Sequence, residues 1–183
     1  MAEHFDFPLA GRGAFRRSYR LRGKRYVVYP IGPAAPRWVA EGTAEPGFAR
    51  EFDPARWVLG VAVAEADNAE QPLGFYAVAH QGDPTCYDDT LIFVRPEARG
   101  RRLSLLLVFV VYLELLRASL SFRLREAIDH PRLRLHARCG FAPPVRKLVD
   151  GKVELGNFDL HTVLSRIESE NEIEELLPEP PLH

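Results

Sequence analysis

Leu103 to Leu116 is the segment that most restricts how this chain folds, an apolar run broken only by Ser104 and Glu114. It is shorter than the ~20 residues that cross a bilayer. It is also far longer than an ordinary strand of about five or six residues. Periodicity alone does not decide between helix and strand here, but length does, and the run is expected as a helix buried on most of its surface. The 183 residues around it suit one domain with enough chain to build a core. A 46% hydrophobic and 27% charged composition excludes a wholly disordered chain, a collagen-like chain and a disulfide scaffold. The two cysteines, Cys86 and Cys139, form no Cys-x-x-Cys pair and are expected as free thiols in a reducing cytosol. Met1 to Pro8 carries Glu3 and Asp6 and no apolar stretch, unlike a signal peptide, so the chain is expected to be soluble and cytoplasmic.

Upstream of the run the pattern is of strands. Tyr26 to Tyr29 is β-branched and aromatic and stops at Pro30. Trp57 to Val63 and Leu73 to Val78 flank the turn residues Ala66-Asp67-Asn68 and read as an antiparallel pair. Thr90 to Val94 is a third strand of that group, ended by Pro96. Downstream, Leu120 to Leu124 reads as a strand and Pro131 to Cys139 as a short helix closed by Gly140. Val145 to Val149 and Lys152 to Leu155 flank Asp150-Gly151 as a hairpin. Phe158 to Ile167 is open between a last strand and a short helix. The tail from Glu168 has six glutamates and reads as frayed. The order predicts an α/β chain of the α+β type, a mixed, mostly antiparallel sheet flanked by helices. Residues 51–167 would form its core, 1–50 an Arg/Gly/Pro-rich segment integrated with it, and 168–183 an acidic, flexible tail.

The net charge of −1 gives no global field to attract nucleic acid or a membrane. Cations are nonetheless lopsided, 21 Arg against 3 Lys, as coding bias in a GC-rich genome would produce. Two places concentrate them. Between Gly11 and Arg25 lie Arg12, Arg16, Arg17, Arg20, Arg22, Lys24 and Arg25, with no acidic residue. This is a solvated face or an anion-binding strip, and no nucleic-acid motif accompanies it. The other place is Arg99-Gly100-Arg101-Arg102, between the strand ending at Val94 and the long helix. A helix start has unpaired N–H groups and a positive dipole end, so a basic turn there can cradle a pyrophosphate.

Val94-x-Pro96-Glu97-x-Arg99-Gly100-Arg101 resembles the coenzyme A motif of the GNAT superfamily of N-acetyltransferases. Downstream, Leu135-His136-Ala137-Arg138-Cys139-Gly140-Phe141 resembles the same family's Leu-Tyr-Glu-Lys-x-Gly-Phe segment, at the expected distance. The likeness covers roughly Trp57 to Leu155. It implies a transferase moving an acetyl group from acetyl-CoA to a primary amine by direct transfer. Arg99, Gly100, Arg101, Arg102, Leu103 and Ser104 would hold the pyrophosphate, and backbone groups of Phe93 and Val94 the pantetheine arm. Arg102 stands where the family has a second loop glycine, Ser104 where it has a third small residue, and His136 where it often has a tyrosine acting as general acid. An imidazole can also give up a proton near neutral pH. The base would lie on the strand before Val94, where Asp88 and Asp89 are adjacent and Asp88 shares strand parity with Val94. Glu65 and His80 are weaker choices.

No metal is expected. His130, His136 and Cys139 would still lack a fourth ligand, and Cys139 before Gly-Phe reads as a buried small residue rather than a nucleophile. The partners implied are acetyl-CoA and an amine acceptor, either a small molecule or a protein, with no membrane and no nucleic acid; a homodimer is compatible with this. The altered loop also allows an alternative, a catalytically degenerate module of the same fold used for binding or assembly.

Overall fold

A computed structural model of the chain describes residues 16–30, 59–80, 86–117, 123–127, 134, 144–147, 151–155 and 159–177. Its strands are β1 Arg17–Leu21, β2 Lys24–Pro30, β3 Leu59–Glu65, β4 Pro72–His80, β5 Cys86–Val94, β6 Arg123–Ala127, β7 Pro144–Lys147, β8 Lys152–Leu155 and β9 Ile173–Leu176. Two helices fall wholly within the described residues, α1 Leu103–Arg117 and α2 Leu160–Asn171. The strands form one sheet in the order β7-β8-β6-β5-β4-β3-β2-β1-β9. All pairings are antiparallel except β5 with β6, which is parallel. This is the mixed, mostly antiparallel sheet with helices that the sequence predicts.

Side-chain alternation along the strands splits the core into two layers. Val28, Val61, Val63, Tyr76 and Val78 pack on α1 and α2, with Ile92 and Val94 of β5 at the margin. Ala62, Phe75, Ala77, Leu91 and Phe93 form a second cluster on the alternate positions. α1 is buried almost all round, as its length and lack of a polar face require; Leu106, Leu107, Val108 and Val110 are fully inaccessible. Shortening Leu106 to alanine would cost about 3 kcal/mol in lost transfer energy and residual cavity. Among the described residues no helix is long and apolar enough to cross a membrane.

Several boundaries depart from the sequence expectation. The third strand starts at Cys86, four residues before Thr90. The strand expected at Leu120–Leu124 is Arg123–Ala127, and residues 120–122 lie outside the described set. Residues 160–171 are helical, which settles the open reading of 158–167 as a helix from residue 160, with Phe158 outside the described residues; Asp159 caps this helix, its carboxylate accepting from the His161 N–H at 3.0 Å and the Thr162 hydroxyl at 2.6 Å. The expectation of a frayed tail from Glu168 is wrong for residues 168–176. Glu168 to Asn171 complete α2, and Ile173–Leu176 pair antiparallel with β1. The glutamates that suggested disorder face cations here: Arg20 is ion-paired with Glu174 directly across the strands, and Arg17 with Glu175 at 2.9 Å. The same pairing makes a strand of Arg17–Leu21, which composition alone did not mark.

Candidate active site

The parallel pair β5–β6 opens almost as soon as it forms. Only Cys86↔Arg123 and Tyr87↔Leu124 are in register. β6 then continues to Ala127 against β8, and β5 to Val94 against β4. Among the described residues nothing pairs with the outer side of β5 from Asp88 to Val94. The parting point carries a bulge: Ala79 pairs with Asp89 but His80 with Tyr87, so Asp88 is the extra residue. A bulge bends and twists its strand and ends regular pairing, often beside functional sites.

The backbone phase of β5 follows from one hydrogen bond. The Arg95 N–H donates to the Leu73 carbonyl at 2.8 Å, and the register continues through Gly74↔Val94 and Phe75↔Phe93. Bonded and non-bonded pairs alternate in an antiparallel ladder. Phe75–Phe93 and Ala77–Leu91 are therefore bonded pairs, and the N–H and C=O groups of Thr90, Ile92 and Val94 face the split. In keeping with this, the Val94 carbonyl accepts from Arg99 Nε at 3.2 Å. The strand-like edge expected from Phe93 and Val94 is thus offered by Val94 but not by Phe93, whose backbone serves β4. Gly74 allows the close approach of β4 at this point, since a Cβ there would lie 2.5 Å from the Phe93 carbonyl oxygen and 3.1 Å from Val94 Cα.

The loop after β5 is built in three steps. Pro96–Ala98 makes a single 3-10 turn, anchored by the buried Ala98. Gly100 then takes φ +84° and Arg102 φ +62°, both left-handed. Finally the Arg102 carbonyl accepts from the N–H groups of Leu105 and Leu106 at 3.0 and 3.3 Å, which makes Arg102 the N-cap of α1. An ordinary cap such as serine or aspartate covers the first-turn amides with its own oxygen. A guanidinium has only donors and cannot. The first-turn N–H groups at Leu103 and Ser104 therefore receive no acceptor from the cap side chain; of the two residues Ser104 is part-exposed and Leu103 buried.

The loop arginines reach neutral acceptors as well as a carboxylate. Arg99 donates to the Val94 carbonyl, Arg101 to the Glu97 carbonyl at 3.3 Å, and Arg102 to the Asn171 side-chain oxygen at 2.6 Å. Glu65 serves both Lys24 and Arg101, each at 2.6 Å. The Lys24 hydrogen bond is the main influence holding the Glu65 carboxyl below its ordinary range, with Arg101 adding to it. That fixes Glu65 as an ion-pair partner and makes it a poor proton acceptor, against its place among the candidate bases.

The remaining candidates are located as follows. Arg99 to Arg102 lie between β5 and α1, and Leu103 and Ser104 open α1. The backbones of Asp88 and Asp89 lie in β5 at the parting point, and that of His80 at the end of β4. The bulge at Asp88 interrupts alternation, so the strand parity linking Asp88 to Val94 is lost. His136, His130 and Cys139 lie outside the described residues. Sequence reasoning passed over Asn171, which touches the loop through Arg102 from inside the stretch read as tail; an asparagine among glutamates carries no signal of its own.

No protein-family model and no curated protein matches the sequence. Solved structures do. A chimera of the Vibrio cholerae spermidine N-acetyltransferase and hSSAT superposes with a TM-score of 0.52 at 14% identity, over 76% of this chain and 98% of that one. A GNAT-family protein from Desulfovibrio desulfuricans gives 0.52 at 16% identity, over 71% and 95%. The Vibrio cholerae spermidine N-acetyltransferase in complex with CoA and spermine gives 0.50 at 12% identity, over 71% and 92%. With the parted parallel strands and the Arg/Gly loop leading into a buried helix, these likenesses identify the architecture: the chain has the fold of the GNAT acyl-CoA N-acyltransferases.

Proposed function

We propose that the protein is an N-acyltransferase that moves an acetyl group from acetyl-CoA to a primary amine by direct transfer. The observation that carries this reading is the parting of β5 from β6, which, among the described residues, leaves the Thr90 and Ile92 backbone and the Val94 N–H without a strand partner directly ahead of the basic loop and the α1 N-terminus. An extended amide-containing arm can add to such an edge as a strand does, with its phosphates on the loop amides and guanidiniums. The likeness in fold to an acetyltransferase seen with CoA and spermine supports the same reading.

In the reaction a neutral amine attacks the thioester carbonyl carbon, the carbon–sulfur bond breaks, and the amide forms. One proton leaves the attacking nitrogen and one is delivered to the departing sulfur. Asp88, at the parting point, is proposed as the base that takes the first, and His136 as the acid that gives the second. Holding both reactants in one split supplies the proximity on which such a transfer depends.

The alternative, a degenerate module of the same fold, rests on the altered loop residues Arg102 and Ser104, and an Arg102 side chain plugging the split would favour it. Arg102 is instead bonded to Asn171, next to β9, and β9 lies at the edge of the sheet beyond β1. This favours the enzyme. Calorimetry with acetyl-CoA should show saturable binding, and the absence of both heat and thermal shift at millimolar ligand overturns the proposal. In a thiol-release assay across a panel of amines, Asp88→Asn and His136→Phe should lower turnover while leaving donor binding intact. Normal turnover in both removes those two assignments.

A further inference from the structure

We infer that Asn171 is a positioning residue for the acyl-donor loop: it holds the Arg102 guanidinium away from the first turn of α1 and fixes the left-handed cap that begins it. This rests on the proposed donor site.

Arg102 occupies a left-handed conformation at φ +62° without being glycine. For an L-residue that costs about 1–2 kcal/mol, so the conformation persists only where its surroundings hold it. The hold comes from the side chain. Arg102 Nη1 donates to Asn171 Oδ1 at 2.6 Å, and Asn171 is 3% exposed. The amide of Asn171 is itself oriented, because its Nδ2 donates to the Ile167 carbonyl at 2.8 Å and so turns Oδ1 toward the guanidinium. Asn171 is the last residue of α2, so the cation also sits at the negative end of that helix. The base of the tether is fixed in turn: Glu172 closes α2 with φ +53°, its N–H bonded to the Glu168 carbonyl, and its own carbonyl accepts from the Arg22 N–H at 3.3 Å.

The consequence for the loop is geometric. A long side chain at an N-cap can lie over the first-turn amides and hinder an approaching phosphate. Drawn to Asn171, the Arg102 side chain is kept off the first turn of α1, where Ser104 is part-exposed and Leu103 buried, as a glycine would keep it clear. The segment read from sequence as a frayed tail is thereby a support of the donor site.

A double-mutant cycle tests this, with CoA titrated calorimetrically into wild type, Asn171→Ala, Arg102→Gly and the double variant. Asn171→Ala should weaken CoA about tenfold when Arg102 is present and change it less than twofold in the Arg102→Gly background. Arg102→Met, which removes the donor from a part-exposed position, should give the same loss without disturbing the buried partner. Asn171→Asp, which keeps an acceptor for Arg102 but loses the donor to the Ile167 carbonyl, should lose less affinity than Asn171→Ala without reaching wild type. Equal losses in both backgrounds, or tighter binding on Asn171→Ala, overturn the inference; the latter would mean that the released guanidinium binds phosphate itself. Hydrogen exchange of residues 99–106 in ligand-free protein separates this from the donor reading. If wild type binds no CoA yet Asn171→Ala speeds exchange only where Arg102 is present, the donor site falls and the tether stands. If exchange is unchanged, the tether falls.

Discussion

The chain has two arginine-rich stretches of similar composition, and they are solved in opposite ways. On β1, Arg17 and Arg20 meet carboxylates: Arg17 lies 3.6 Å from Glu114 and 2.9 Å from Glu175, and Arg20 is paired with Glu174. Arg117 closes a ring by bonding Glu114 and Glu175, each at 2.7 Å. Cations and anions match there. In the loop, Arg102 bonds the neutral Asn171 oxygen, and one carboxylate, Glu65, is shared between Arg101 and Lys24. A neutral acceptor fixes a guanidinium in space without cancelling its charge. The first stretch is thus a structural seam, and Arg101 with Arg102 a positioned positive field, a difference that composition cannot express.

The sharpest way to break this contrast is to remove arginines from each stretch and read both affinity and stability. Arg99→Ala with Arg101→Ala should raise the CoA dissociation constant about 100-fold, since charge-assisted bonds contribute about 1.5–3 kcal/mol each. The melting temperature should move little. Arg17→Ala with Arg20→Ala should do the reverse, lowering the melting temperature with CoA affinity within twofold of wild type. A comparable affinity loss from the β1 pair would show that its charge reaches the ligand, and the distinction would collapse.

What could be read in advance follows the same division. α1 was legible because run length excludes the other outcomes for Leu103–Leu116. The β3–β4–β5 meander was legible because each strand is bounded by turn residues. The loop was legible because its charges and Gly100 sit between a strand end and a helix start. β1 was not, because Arg-Ser-Tyr-Arg-Leu offers only Tyr19 and Leu21 to a core; both are buried, and its strand state comes from pairing with β2 and β9. β9 was hidden for the complementary reason: its glutamates look like a solvated tail until their partners, over 150 residues away in sequence, are known. The phase of β5 was also out of reach, because which backbone groups face the split depends on pairing with β4 and on the bulge at Asp88.

The seam can be tested at its most buried point. The Glu114 side chain is 7% exposed between two arginines that are each 39% exposed. Removing one member of a buried pair leaves charge uncompensated, at a cost of 3–5 kcal/mol in fully buried cases. With the arginines partly solvated, Glu114→Gln should cost about 2 kcal/mol in denaturant unfolding, by discounting that range. CoA affinity should not change. A loss below about 0.5 kcal/mol would place the ring with ordinary surface pairs and remove the seam's structural meaning.

The smallest expected effect lies at Glu65, where both behaviours meet. Its carboxylate orders Lys24 and Arg101 and also reduces the loop's positive field. Its carboxyl is held below the ordinary value of 4.5, chiefly by the Lys24 hydrogen bond. A depressed carboxyl pKa means that the unfolded chain takes up the proton first as pH falls. The stabilisation is then complete above pH 4.5 and is lost as pH drops through the folded value. The stability gap between wild type and Glu65→Gln should accordingly be constant above that pH and close below it, in urea titrations at several pH values. Because the substitution removes a negative charge beside the loop, it should also tighten CoA binding about twofold at low ionic strength, and the gain should vanish at 1 M salt. If binding weakens instead, positioning Arg101 matters more to the loop than its net charge, and the contrast between seam and field would have to be redrawn in terms of geometry.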